Sequence, residues 1–239
     1  MTENLTMKED FINLLEDDPE QLRSLDTTFL TLDTLEFSDL DLSYMDLKGC
    51  NFDKGTFVGV DFSHSDLSET KFNDGVYLFC NFNNTDLTRA NMQNSTFSGS
   101  SFDYSFLDRT KMNDSDLRKT SFIDAQLIDA FFHKCNLSLS SLQNSFISNT
   151  NLSHSIIMGT NFKYSFLDHV NLFNTSLAHS NLSGCYLKDV SALKTNFFES
   201  YIVRSIFDGG SVNNSNFEGS SLKKTLFKET TRLNTILSK

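Results

Sequence analysis

No run of about 18 apolar residues occurs in this chain, so no membrane-spanning helix is expected. The opening residues Met1-Thr2-Glu3-Asn4 have neither the basic nor the apolar region of a secretory leader, and a cytoplasmic location is the expectation. Cysteine is scarce. Cys50, Cys80, Cys135 and Cys185 lie far apart, with no CxxC and no short Cys/His spacing, which argues against a zinc site or a redox pair. No Gly-rich phosphate loop, P-loop or nucleophile elbow appears. The five histidines, His64, His133, His154, His169 and His179, are spread along the chain and read as solvated surface groups. No catalytic, cofactor-binding or metal residues are expected, and an enzyme is not.

What is present is a period of five. Every residue numbered 5n+2 from Leu32 to Phe227 makes 40 positions, and 39 carry a large apolar side chain; Ala192 is the exception. Two residues earlier, at the multiples of five, all 38 positions from Cys50 to Thr235 are Ala, Cys, Gly, Ser, Thr or Val. The four cysteines all fall on these small sites, where Cys is a compact apolar filler. Five matches neither the helical 3.6 nor the strand's 2, so neither element can put all these side chains on one side. A short extended run that turns a corner and repeats can. Such self-similarity predicts a solenoid whose units bury apolar faces against their neighbours.

Stretches such as Ser65-Asp66-Leu67-Ser68-Glu69, Ala90-Asn91-Met92-Gln93-Asn94 and Ser180-Asn181-Leu182-Ser183-Gly184 repeat the order small, Asp/Asn, large apolar, polar, polar. In this the chain, over roughly residues 30 to 235, resembles the pentapeptide-repeat family. The resemblance implies a right-handed quadrilateral parallel β-helix with four pentapeptides per coil. A 20-residue coil can be tested without it. Leu47, Leu67, Leu87, Leu107, Leu127, Ile147, Leu167 and Leu187 are all aliphatic, while Phe62, Phe82, Phe102, Phe122, Leu142 and Phe162 are mostly Phe. An 18-residue coil would mix these columns.

The expected organisation is therefore an all-β solenoid of about ten coils over 27–239, with an α-helical cap over 1–26. Thr6-Met7-Lys8-Glu9 has the form of a capping box, so a helix is expected from Met7, with Phe11, Ile12, Leu14 and Leu15 on its apolar side. Asp18 followed by Pro19, the chain's only proline, reads as a second helix start. These helices would cover the open first coil, where Leu30, Leu35, Leu40 and Met45 are the only large residues at small sites. A bulge or cavity is expected at Ala192, and Arg232 at an inward position predicts that regular coils stop near Lys228. Side-chain burial alone is not expected to offset the cost of ordering each coil, so ladders between coils and the Ser/Thr/Cys columns must contribute.

Two surface features stand out. Residues 1–47 hold 13 acidic and 2 basic residues, whereas 48–239 hold 18 of each. Asp41, Asp46, Asp61, Asp66 and Asp86 extend an acidic patch into the first coils. Some members of the family it resembles mimic duplex DNA and bind type II topoisomerases, so a gyrase partner with quinolone protection is one reading. A mimic needs negative charge along the whole rod, and this rod is acidic at one end. The projecting loops and the C-terminal pairing helix of the topoisomerase-protecting members are not visible either. The second feature is the outward site just before the Leu column. It runs Asp46, Asp66, Asp86, Phe106, Gln126, Phe146, Phe166, Tyr186, Ile206, Leu226, and five successive rows from Phe146 make an apolar stripe. Val76, Leu78 and Phe79 form a shorter second patch. The expected function is a non-enzymatic interaction scaffold that binds a protein partner or a second copy through these faces. No cofactor, direct nucleic-acid contact or membrane contact is expected.

Overall fold

A computed structural model describes residues 9–15 and 26–237. The chain winds as a parallel β-solenoid of about ten coils in which residue i pairs with residue i+20. Each coil has four pairing columns, as in Thr31↔Asn51, Glu36↔Thr56, Asp41↔Asp61 and Asp46↔Asp66. At each pairing, one N–H reaches forward to a carbonyl of the next coil, and an N–H of that coil reaches back. Leu107 N–H to the Gln126 carbonyl (2.8 Å) and Gln126 N–H to the Ser105 carbonyl (3.0 Å) are one such pair.

The inside follows from the period of five. The 5n+2 side chains point to the axis, and from Leu42 to Phe217 every one is buried. Each coil keeps the register of the one before, so like stacks on like. Phe62, Phe82, Phe102 and Phe122 lie ring on ring, with centroids 5.1, 4.8 and 4.9 Å apart and planes within 8°. The hydroxyls at the small sites stitch coils together. Ser140 Oγ donates to the Leu117 carbonyl at 2.7 Å and accepts the Thr120 N–H at 3.1 Å. The same bond to a carbonyl of the preceding coil recurs at Thr110, Ser115, Thr150, Ser155 and Thr160. Among the described residues no buried side-chain nitrogen or oxygen lacks a partner.

Corners are made at 5n+4. Among the described residues, all 35 non-glycine residues with positive φ sit there, from Phe29 (58°) to Asn234 (51°). Nine three-residue strands appear among the described residues where the chain stays extended past the pairing residue. β1 (Glu36–Ser38), β2 (Thr56–Val58) and β3 (Val76–Leu78) form one sheet. β4 (Gln126–Ile128), β5 (Phe146–Ser148), β6 (Phe166–Asp168), β7 (Tyr186–Lys188), β8 (Ile206–Asp208) and β9 (Leu226–Lys228) form another. β4 begins two and a half coils after β3, so the two sheets occupy opposite faces.

At the N-terminal end, α1 (residues 9–15) docks on the first coil. Phe11 is fully buried in the main core with Leu30 and Met45, and Leu14, Leu15, Leu35 and Leu40 pack against it. Phe11 and the larger side chains of the first coil thus belong to one apolar cluster. The helix start expected at Met7 and the second helix start at Asp18-Pro19 lie outside the described residues.

Of the bulge or cavity expected at Ala192, the bulge is absent: Ala192 is buried, its N–H bonds the Ser211 carbonyl at 2.7 Å, and Ser191 pairs in register with Ser211. Backbone pairing is indifferent to side-chain size, so one small residue does not break the ladder. Nor do the coils stop near Lys228. Thr231 pairs with Ser211 and Ile236 with Asn216, and Phe217 N–H bonds the Ile236 carbonyl at 2.8 Å. Arg232 is exposed and lays its guanidinium 5.1 Å from the Phe227 ring centroid instead of entering a core.

Candidate functional site: the β4–β9 face

The column that carries the stripe is continuous in the structure. Asp46, Asp66, Asp86, Phe106 and Gln126 pair in sequence, and Gln126, Phe146, Phe166, Tyr186, Ile206 and Leu226 follow in register through β4 to β9. Phe106 is 52% exposed, Phe146 41% and Leu226 49%. Phe166, Tyr186 and Ile206 are half-buried, because their rings and chains lean on one another. Phe146 stacks on Phe166 (5.3 Å, 6°) and Phe166 on Tyr186 (5.6 Å, 19°). Flat stacking along the rod lets one row shield the next while the outer edges stay in water. Gln126 interrupts the stripe, and its amide bonds Asp108 at 2.9 Å. Other exposed apolar groups, such as Phe131, Ile156 and Tyr201, stand in columns whose adjacent rows are mainly polar.

The borders of this face are charged, with opposite signs. On the side where the chain enters, Tyr164 lies across Gly184, where a Cβ would be 2.5 Å from the ring. The Lys163 ammonium is 4.8 Å from the Tyr164 centroid. Beside them Arg204, Lys223 and Lys224 line an open groove with Ser183 and Val203. Among the described residues, no carboxylate forms an ion pair with Lys163, Arg204, Lys223 or Lys224.

On the side where the chain leaves stand Asp168, Asp189, Asp208 and Glu229, interleaved with Lys188 and Lys228. His169 Nδ1 is 2.8 Å from Asp168 Oδ1 and its Nε2 is 3.7 Å from Asp189 Oδ2. These three side chains could offer metal-ligand atoms within 4.8 Å of one another, but Lys188 Nζ already lies 3.5 Å from Asp168 Oδ1. The arrangement works as an exposed ion-pair ladder. Tyr186 joins it: its hydroxyl donates to Asp208 Oδ2 at 2.5 Å, and that bond beside a carboxylate raises the phenol's pKa.

The acidic patch is also a set of turn fasteners. Asp61, Asp66 and Asp86 each accept the N–H two residues on, from Ser63, Ser68 and Thr88, at 2.8 Å. Asp41 and Asp46 do the same for Ser43 (2.9 Å) and Lys48 (3.3 Å). Asp41 and Asp46 are exposed and the other three half-buried. They form two columns, Asp41–Asp61 and Asp46–Asp66–Asp86, on adjacent faces.

The remaining candidates do not converge on chemistry. His64 stacks on Tyr44 (4.7 Å, 6°), and His133 Nδ1 lies 2.9 Å from Ser153 Oγ. His154 lies edge-on to Phe173, and His179 pairs with Glu199 at 3.3 Å. All four cysteines are buried thiols whose pKa burial pushes up to about 12. Val76, Leu78 and Phe79 lie on the opposite, β1–β3 face. No helix of the described residues is long and apolar enough to cross a membrane.

A family model described as pentapeptide repeats matches in eight copies, over 36–74, 80–118, 105–138, 120–157, 135–172 and 159–189. No curated protein matches the chain. Among solved structures, it is similar to HetL, a pentapeptide repeat protein involved in heterocyst differentiation regulation in the cyanobacterium Nostoc. That match has 18% identity and a TM-score of 0.48, and covers 86% of this chain and 88% of that one. It is also similar to full-length QnrB1, a plasmid-mediated fluoroquinolone resistance protein, at 17% identity and a TM-score of 0.43 over 85% of this chain and 94% of that one. With its period of five, its pairing of each coil with the next and family matches over more than half its length, the chain belongs to the pentapeptide repeat family.

Proposed function

We propose that this protein is a non-enzymatic interaction scaffold whose contact face is the β4–β9 stripe. The observation that supports this reading is the column Phe146, Phe166, Tyr186, Ile206, Leu226, in register and at the surface. Contiguous apolar surface of this kind is typical of interfaces, and single exposed apolar residues are not. The interior is filled by stacked Leu and Phe, which leaves the outer faces as the place for binding. Replacing Phe146, Phe166 and Tyr186 together by Ser should abolish association, whether read as mass by light scattering or as protein captured on the immobilised chain. A control on the opposite face, Val76→Ser with Phe79→Ser, should retain it. Retention by the stripe variant would contradict the reading.

A second reading, a DNA-mimicking binder of gyrase, has the acidic columns Asp41–Asp61 and Asp46–Asp66–Asp86 in its favour. They cover the first coils only, and residues 48–239 carry balanced charge. The distribution favours the scaffold. Purified gyrase, assayed for supercoiling with and without a quinolone, should be unaffected by this chain.

A further inference from the structure

The charged borders bear on what the stripe docks against. A face that pairs with itself by two-fold symmetry can do so in two ways. With the rods parallel, the entry border of one copy faces the exit border of the other at the same coil. With the rods antiparallel, each border faces its own kind. Along the stripe the two arrangements differ in sign. Parallel pairing sets Lys163 opposite Asp168, Arg204 opposite Asp208 and Lys224 opposite Glu229, each twice. Antiparallel pairing centred on Tyr186 sets Lys163 opposite Arg204, Asp168 opposite Asp208 and Asp189 opposite itself. The cations Lys163, Arg204, Lys223 and Lys224 have no carboxylate partner among the described residues, which leaves them for one.

We infer that the occupant of the stripe is a second copy of this chain, side by side and parallel, coil against matching coil over rows Phe146 to Leu226. This rests on the stripe being the contact face. In the parallel arrangement Lys223 meets Lys228 in the last row, beside the Lys224–Glu229 pair, whereas Asp86 on Asp86 and Asp124 on Asp129 lie N-terminal to Phe146. These acidic rows mark where the two copies part, and Asp86→Asn with Asp124→Asn should tighten the dimer.

The test uses the full chain with one added cysteine, at Phe146→Cys or at Leu226→Cys. The four native thiols are buried and stay unlabelled. In the parallel dimer each stripe residue faces its own counterpart, so either variant alone is joined to itself by a short bismaleimide. In an antiparallel dimer neither is, and only a mixture of the two cross-links. Charge reversal gives an independent reading by light scattering: Arg204→Asp or Asp208→Arg weakens self-association about ten-fold, and the double variant restores it. Self-linking at both ends with rescue by the double variant is the expected result. Linking only in the mixture overturns the orientation. A monomer at all concentrations, with no linking, overturns the second copy as occupant; the scaffold reading is then decided separately by whether the stripe variant loses a captured protein.

Discussion

Ser140 makes plain why most of the small sites are Ser or Thr. Its hydroxyl donates to one neighbouring coil position and accepts from another, inside a core that offers no water. Ser140→Ala should therefore cost about 1–3 kcal/mol in equilibrium unfolding, because the Leu117 carbonyl loses a donor and the Thr120 N–H an acceptor. The cysteines occupy the same kind of site, and Cys135 Sγ lies 2.9 Å from the Met112 carbonyl. Their pH linkage has a definite sign. The folded thiols hold their protons until about pH 12, whereas those of an unfolded chain ionise near the ordinary value of 9.0. Stability from this source is complete below about pH 9 and falls as pH rises from 9 toward 12. Unfolding temperatures measured across that range should drop more steeply for the native chain than for a variant with all four cysteines changed to Ser. The inward position of these residues is legible from the period alone. Their hydrogen bonds are not, since the partner carbonyl lies more than a full coil away along the chain and is set by the coil's pitch.

At the scale of the element, the corner is the unit that must not change. Most corners accept ordinary residues at positive φ, but Gly210, the residue after the Gly209 corner, combines φ of 65° with a Cβ position only 2.3 Å from the Val190 carbonyl oxygen. Backbone cannot step aside as a flexible side chain can. Gly210→Ala should cost about 2–5 kcal/mol, read as a lower denaturation midpoint. The cap is the other sensitive element. Phe11 is the one residue of α1 that is fully buried, so Phe11→Ala should cost about 3–5 kcal/mol. It should also raise hydrogen exchange in residues 31–47 before the later coils. Large residues at Leu30, Leu35, Leu40 and Met45 disclose this junction in the sequence. The strands β1–β9 also leave a trace there: none of their pentapeptides has Asn, Asp or Ser at the pairing position, whereas most pentapeptides that turn do, and an Asp or Asn there accepts the N–H two residues on, as Asp61 does from Ser63. At the C-terminal end Arg232 is a poor core residue, but its position is exposed and its guanidinium rests over the Phe227 ring.

For the molecule as a whole, the period of five yields the architecture and the step of twenty yields the surface. The column one residue before the Leu column shows the stripe directly, at Phe106 and from Phe146 to Leu226. The charged borders are harder to see, because Lys163, Arg204 and Lys224 end one pentapeptide while Asp168, Asp208 and Glu229 end the next. Only winding the chain places them on two sides of one face. The same winding brings His169 between Asp168 and Asp189, which a count of histidines alone does not find. On the proposed reading the outer wall at β4–β9 is the working surface. The most direct measurement is hydroxyl-radical footprinting of the chain when dilute and when associated. Phe146, Phe166, Tyr186 and Leu226 should lose labelling on association, while Phe131, Ile156 and Tyr201, exposed on other faces, keep theirs. Unchanged labelling along the stripe, or protection of Phe131, Ile156 and Tyr201 instead, would contradict the account.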